Sequence, residues 1–270
     1  MMDILIPILA VTGIGLACGI MLVIVSKFMA VPEDEKFTKI RECLPGANCG
    51  ACGYAGCDGY AHALANGEIT ETSRCVPGAS AVAKAVAEAM GQETQKTVAK
   101  VAFVGCGGNT AHAAKRYDYQ GIASCTAAKL LFSGDSMCTY GCLGYGDCAN
   151  VCPQHAITIT DGLAKVDPDL CIGCGLCAKA CPNHLLQVVP STVQVVVRCS
   201  NHDKGAVTRK ACSAGCIGCK KCERECEAGA ITVVDNCAVI DYSKCTGCGH
   251  CAEICTTGCI QPVNFSKREP

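Results

Sequence analysis

The residues equipped for chemistry are the cysteines, 28 in a chain of 270 residues, and their spacing is that of metal ligands. The run Cys171-x2-Cys174-x2-Cys177-x3-Cys181-Pro182 matches the bacterial ferredoxin pattern. In that pattern three closely spaced thiolates hold one 4Fe–4S cluster, and the fourth, ahead of proline, reaches across to a neighbouring cluster. The preceding run is Cys138-x3-Cys142-x5-Cys148-x3-Cys152-Pro153. The crossing rule assigns Cys171, Cys174, Cys177 and Cys152 to one cluster, and Cys138, Cys142, Cys148 and Cys181 to another. The chemistry expected is outer-sphere, one-electron relay. The six histidines are scattered, and none pairs with a carboxylate in a catalytic spacing.

Two other uses of so much cysteine compete with this one. A disulfide scaffold would be short and secreted, whereas C-x2-C-x2-C triplets gather three sulfurs about one point, which suits a metal. Structural zinc sites are usually two C-x2-C pairs or mixed Cys and His, so triplets followed by a lone Cys-Pro favour iron and sulfide. Trp is absent and aromatics are 4% of residues, which leaves little for one deep core and favours several small metal-stabilised modules. Lys plus Arg number 23 against 24 Asp plus Glu, so no global charge points to nucleic acid.

The same spacing recurs downstream as Cys216-x2-Cys219-x2-Cys222-x3-Cys226 and Cys245-x2-Cys248-x2-Cys251-x3-Cys255. Aligning Cys152 with Cys226 places Cys171 on Cys245, and AITITDGLAKVDPDLC matches AITVVDNCAVIDYSKC. This is an internal duplication. The crossing rule groups Cys216, Cys219 and Cys222 with Cys255, and Cys245, Cys248 and Cys251 with Cys226. Cys237 falls on Leu163 and Cys259 on Leu185, which reads both as buried apolar fillers. Nearer the N-terminus, Cys49-x2-Cys52-x4-Cys57 with Cys75-Val76-Pro77 supplies a fifth set of four, and Cys43 is read as spare. Glycines 50, 53 and 56 let the backbone curl around a cluster. Cys106, Cys125, Cys199 and Cys212 remain, each pair preceding a ferredoxin module after an apolar strand, VAFVGC or VQVVVRC. They are either free structural thiols or a sixth cluster; about 20 Fe against about 24 separates the two.

The elements needed to position these sets are small: a small α+β fold with a short strand, ITIT or ITVV, and a short helix after each triplet. An N-terminal transmembrane helix precedes them, because Ile4 to Ser26 is an apolar run without a charge and is long enough to span a bilayer. Lys27, Lys36, Lys39 and Arg41 follow it and no basic residue precedes it, which places the N-terminus outside and the body in the cytoplasm. Gly15 and Gly19 are spaced for close helix packing. The expected division is a transmembrane anchor at 1–27, a four-Cys domain at 28–78, a helical and strand linker at 79–135, and two tandem ferredoxin modules at 136–190 and 191–270. The turn Gly105-Cys106-Gly107-Gly108 does not complete a dinucleotide-binding fingerprint.

The anchor, the LPGANCGACGYAGC loop with its later Cys75-Val76-Pro77, and the CTYGCLGYGDCANVCP run together resemble the B subunit of the Rnf complex, a membrane-bound ferredoxin:NAD oxidoreductase that moves Na⁺ or H⁺. The spacing gives five 4Fe–4S clusters and a possible sixth, and the resemblance implies that they take electrons from reduced cytoplasmic ferredoxin toward NAD reduction. It also implies membrane and flavin- or NAD-bearing partner subunits that carry the ion path and the catalytic pocket. Arg209, Lys210, Lys220, Lys221 and Arg224 surround the second module, and soluble ferredoxins are acidic, so this patch is the expected docking place. The alternative is a membrane-anchored polyferredoxin serving another reductase or a hydrogenase. A corrinoid-linked role is set aside, because a cobamide-binding barrel does not fit the remaining length.

Overall fold

Short antiparallel ribbons, each closing on a cysteine loop, make up most of the body of this computed structural model, which describes residues 2–28, 35–92 and 98–265. Helix α1 runs from Met2 to Phe28. The expected span from Ile4 to Ser26 falls partly outside the residues whose side chains are described. Those that are described, 12–25, are all exposed, Leu16 and Leu22 among them. Among the described residues no helix is long and apolar enough to cross a membrane.

The N-terminal domain packs α2 (Glu35–Cys43), α3 (Cys57–Ala65) and α4 (Ala79–Met90). Ile40, Leu44, Tyr60, Leu64 and Val86 form its core, with Cys75 buried among them. Phe37 stacks on His62 with ring centroids 4.0 Å apart, and Arg41 pairs with Asp58, so α2 is fixed to α3 by both an apolar and a charged contact. Helix α4 ends where Gly91 turns left-handed, as a C-terminal glycine does. The part of the expected linker that α4 occupies therefore contributes Val86 to this core.

The remainder of that stretch feeds the first ferredoxin module. Strand β1 (Lys100–Val104) leads to α5 (Cys125–Leu130), α6 (Asp147–Asn150), β2 (Ile157–Thr160), β3 (Leu163–Val166), α7 (Leu176–Ala180) and β4 (Leu186–Pro190). β1 pairs with β4 from Lys100↔Pro190 to Val104↔Leu186, so the module is closed by a strand that precedes it by a long interval. The β2–β3 hairpin turns on Asp161 and Gly162, with φ of 52° and 71°; positive φ at both central residues matches the right-handed twist of the strands.

The second module repeats the plan. β5 (Val195–Val197), α8 (Gly205–Ala211), α9 (Lys221–Arg224), β6 (Ile231–Val234), β7 (Cys237–Ile240), α10 (His250–Glu253) and β8 (Ile260–Pro262) follow in order. β5 pairs with β8 as β1 does with β4, and β6 with β7 across Asp235 and Asn236, both again at positive φ. Cys237 and Cys259 are each 3% exposed in this module's core, and their matched residues Leu163 and Leu185 lie in the core of the first. A small apolar side chain is what those positions need.

Candidate iron–sulfur centres

None of the 28 cysteines forms a disulfide. Thiols instead converge in groups of four, and each group is marked by the effect of its members on one another. Burial, countered by the Gly78 amide, and then the nearby thiolates of Cys57, Cys49 and Cys52 raise Cys75. Burial and then Cys171, Cys174 and Cys152, countered by the Ala178 amide, push Cys177 up to about 11. Burial and then Cys216, Cys219 and Cys255 push Cys222 up to about 11. Burial and then Cys245, Cys248 and Cys226 raise Cys251. Like charges this close oppose ionisation, and a cationic metal core reverses the preference. Cys216, Cys219, Cys222 and Cys255 line one hollow, and Cys226, Cys245, Cys248 and Cys251 line another.

The fifth group differs from expectation. Burial and then Cys142, Cys125, Cys181 and Cys177 push Cys148 up to about 12. The hollow lined by Cys142, Cys148 and Cys181 is completed by Cys125, whereas Cys138 lines a different one. The duplication explains why. The offset of 74 residues that carries Cys152 onto Cys226 also carries Cys142 onto Cys216 and Cys148 onto Cys222, but it places Tyr145 on Cys219 and Cys138 on Cys212. The first module lacks the middle thiol of its triplet, and Cys125, at the start of α5, lines the hollow with the other three thiols. The same offset sets Cys138 on Cys212, outside the Cys216 group, but it places Cys125 on Cys199 and so does not mark Cys125; reading Cys138 to Cys152 as one ferredoxin run conceals even the first of these.

Asp147 holds Cys125 there. Its carboxylate accepts hydrogen bonds from the Cys125 amide at 3.0 Å, the Thr126 amide and hydroxyl at 2.9 Å each, and the Ser124 hydroxyl at 3.0 Å. Burial pushes this carboxyl up, but the amide and hydroxyl of Thr126, then Cys125 and Ser124, hold it below the usual carboxylate range. Lys221 occupies the matched position of the second module, which has its own middle thiol and needs no such clamp. Asp147→Asn is expected to destabilise the first turn of α5 by about 1–3 kcal/mol through a misplaced donor. Faster iron loss to a chelator, with the other clusters retained, checks this; wild-type iron retention contradicts it.

Backbone amides aim at the sulfurs throughout. Ala102 and Gly173 donate to Cys171 at 3.3 and 3.4 Å, Ala156 to Cys152 at 3.3 Å and Leu185 to Cys181 at 3.4 Å. In the N-terminal domain the Asn48 side chain accepts the Cys57 amide at 2.8 Å and so fixes the start of α3. Among the described residues, no three His, Cys, Asp or Glu side chains are set to hold a single metal ion. Four thiols line one hollow at Cys142 and five, Cys259 among them, line another at Cys216, and such all-thiol sets without histidine suit an iron–sulfur core.

The comparisons with known proteins agree with this chemistry. The family described as "Putative Fe-S cluster" matches residues 44–77, and "4Fe-4S binding domain" matches residues 164–187 and 238–261. The chain is 43% identical over 248 residues to the B subunit of the ion-translocating oxidoreductase complex of Methanosarcina acetivorans, covering 91% of this chain and 94% of that one. It is 44% identical over 243 residues to the B subunit of the Na(+)-translocating ferredoxin:NAD(+) oxidoreductase complex of Acetobacterium woodii, covering 90% and 73%. It is 42% identical over 246 residues to the proton-translocating counterpart of Clostridium ljungdahlii, covering 90% and 87%.

Proposed function

The chain belongs to the B-subunit family of ion-translocating oxidoreductase complexes, and from that membership we propose that it relays electrons from reduced ferredoxin toward NAD reduction coupled to Na⁺ or H⁺ movement. When bound, 4Fe–4S clusters supply one-electron exchange. The observation that carries the reading is that the thiol groups form a file. Cys52 and Cys75 line the same cavity as Cys171, so the N-terminal group faces the Cys171 group. Cys177 in turn acts on Cys148, which joins the Cys171 group to the Cys142 group.

The ligands proposed are the 20 cysteines of the five spaced sets, with Cys125 and Cys138 exchanged as the hollows suggest. Helix α1 is proposed as a single-pass anchor with its N-terminus outside and the iron–sulfur body in the cytoplasm. An apolar run of charge-free residues followed by Lys36, Lys39 and Arg41 supports this. The file then starts at the second module, farthest along the chain from the anchor, and ends at the four-Cys domain beside it. Membrane and flavin- or NAD-bearing subunits are its expected partners at that end.

Ferredoxin is proposed to dock on the second module. Arg209, Lys210, Lys220, Lys221 and Arg224 are all exposed there, and Lys220 and Lys221 line the hollow of the Cys216 group. Lys220 has φ of 58° directly before α9, where the equivalent residues before α6, α7 and α10 are Gly146, Gly175 and Gly249. A left-handed lysine costs roughly 1 kcal/mol more than glycine, a cost consistent with a use for its side chain. Arg224 stands with Glu225 and Glu227 beside the neighbouring Cys226 group, which leaves Lys220 and Lys221 as the cations lining the Cys216 group. Reversing Lys220, Lys221 and Arg224 to Glu in the intact complex should raise the KM for reduced ferredoxin roughly tenfold at low salt and flatten its salt dependence. Unchanged kinetics would remove the docking surface, and a chain that reduced ferredoxin never bleaches would remove the relay.

A further inference from the structure

The two ferredoxin modules are copies, so the places where their cluster loops differ show what one has and the other lacks. The 74-residue offset sets Cys255 on Cys181, Thr257 on Asn183 and Cys259 on Leu185. Asn183 and Leu185 line the Cys142 hollow, and Thr257 and Cys259 line the Cys216 hollow. The backbone holds the two copies alike, since the Gly105 amide donates to Leu185 O and the Arg198 amide to Cys259 O, each at 2.7 Å. What differs around the crossing ligand is therefore the side chains.

In the first module these side chains give the ligand nothing. The Leu185 amide donates to Cys181 Sγ at 3.4 Å, but the leucine side chain has no proton to offer. Asn183 is turned away, its amide donating to Gly141 O at 2.6 Å and its carbonyl accepting from Lys129 Nζ. In the second module Cys259 Sγ lies 3.6 Å from Cys255 Sγ, and Thr257 Oγ1 lies 3.8 Å from it. The direction of these contacts follows from charge. A cysteine that ligates iron is a thiolate and has no proton to give. Cys259 is 3% exposed, and a buried thiol keeps its proton. The Cys259 thiol and the Thr257 hydroxyl are then both donors to Cys255. Filling the core does not call for sulfur at this place, as Leu185 shows.

We propose that Cys259 and Thr257 are side-chain donors to the Cys255 thiolate that hold the Cys216 cluster at a higher reduction potential than the first module's leucine and asparagine would, an inference that rests on the relay reading. Hydrogen bonds to ligand sulfur favour the more negative, reduced state. Reduction adds one electron and leaves the proton on Cys259 Sγ, so no bond is made or broken there. Lys220 and Lys221 line the same hollow. Ferredoxin docked on that side meets a centre whose own side chains favour taking its electron over returning it.

The test is a reductive titration followed by EPR on the full chain, purified without oxygen. Cys259→Leu combined with Thr257→Val should retain wild-type iron, because leucine already fills the matched place in the first module. It should lower the midpoint of one cluster by about 59 mV, roughly a tenfold change in a one-electron equilibrium. The signal that moves should be the one that Cys216→Ser removes. Cys259→Ser keeps a donor and should stay close to the wild-type midpoint. Unmoved midpoints in the double variant, or movement of a different signal, would overturn the donors and leave the relay standing. An equal fall in Cys259→Ser would assign the effect to packing and also overturn them. Loss of about 4 Fe in Cys259→Leu would do the same by making Cys259 a ligand. Clusters that reduced ferredoxin never bleaches would instead sink the relay.

Discussion

Cys125→Ser is expected to cost about 4 Fe and to stop electrons from passing the first module, although no ferredoxin spacing rule marks this residue as a ligand. The expectation rests on where the first module departs from its copy. Tyr145 stands on the position of Cys219, and its hydroxyl donates to the buried Asp135 carboxylate at 2.9 Å, which Lys115 also meets at 2.9 Å. That side chain is committed to a polar network and cannot serve a cluster. Cys142, Cys148 and Cys181 would then supply three ligands, and Cys125, fixed by Asp147, is the fourth thiol lining their hollow. Because the hollow lies between the Cys171 group and the second module, its loss should divide the file. Reduced ferredoxin would still bleach the clusters on the C-terminal side, while those nearest the anchor would stay oxidised. Cys43→Ser is the control, since Cys43 lies on α2 with its thiol directed to Lys39 O at 3.2 Å, and it should leave iron content unchanged. Full iron in Cys125→Ser would return the fourth ligand of this group to Cys138.

How much of the fold and its centres is legible in the sequence depends on the range of the contacts. The cysteine triplets, the duplication and the paired hairpins are local in sequence, and turn residues such as Asp161-Gly162 announce themselves. The segment VAFV is legible as a strand, but its pairing with Leu186–Pro190 is not, because nothing local in either segment specifies a partner so far away. The same limit hides the exchange proposed for Cys125 and Cys138, which line different hollows. A ligand set drawn from a spacing rule assumes that all four thiols come from one run, whereas here a carboxylate on α6 anchors the start of α5 and brings in a thiol from outside. Asn201 is hidden for a related reason: its role as a donor to Cys138 exists only once the two modules are docked. The Gly105–Gly108 turn, which fails as a nucleotide loop, brings Cys106 to the hollow that Cys138 lines.

The dependence of cluster loops on remote backbone leads to a second large effect, at Gly173. This residue lies between Cys171 and Cys174 at φ of 66°, and a Cβ there would overlap the backbone carbonyl of Lys100 at the start of β1. The same strand donates the Ala102 amide to Cys171 Sγ at 3.3 Å, so loop and strand cannot separate without losing a sulfur hydrogen bond. Gly173→Ala combines the left-handed cost of about 1–2 kcal/mol with a clash against main chain that β4 pins in place. The loop should lift, and the cluster proposed for Cys152, Cys171, Cys174 and Cys177 should be lost or rapidly chelated, about 4 Fe per chain. Gly249→Ala separates strain from clash. It has φ of 81° but nothing within 4 Å of its added Cβ, so only the conformational cost applies and iron should be retained with a slightly lower melting temperature. Equal iron loss in the two variants would mean that left-handed strain, and not the approach of β1, governs these loops.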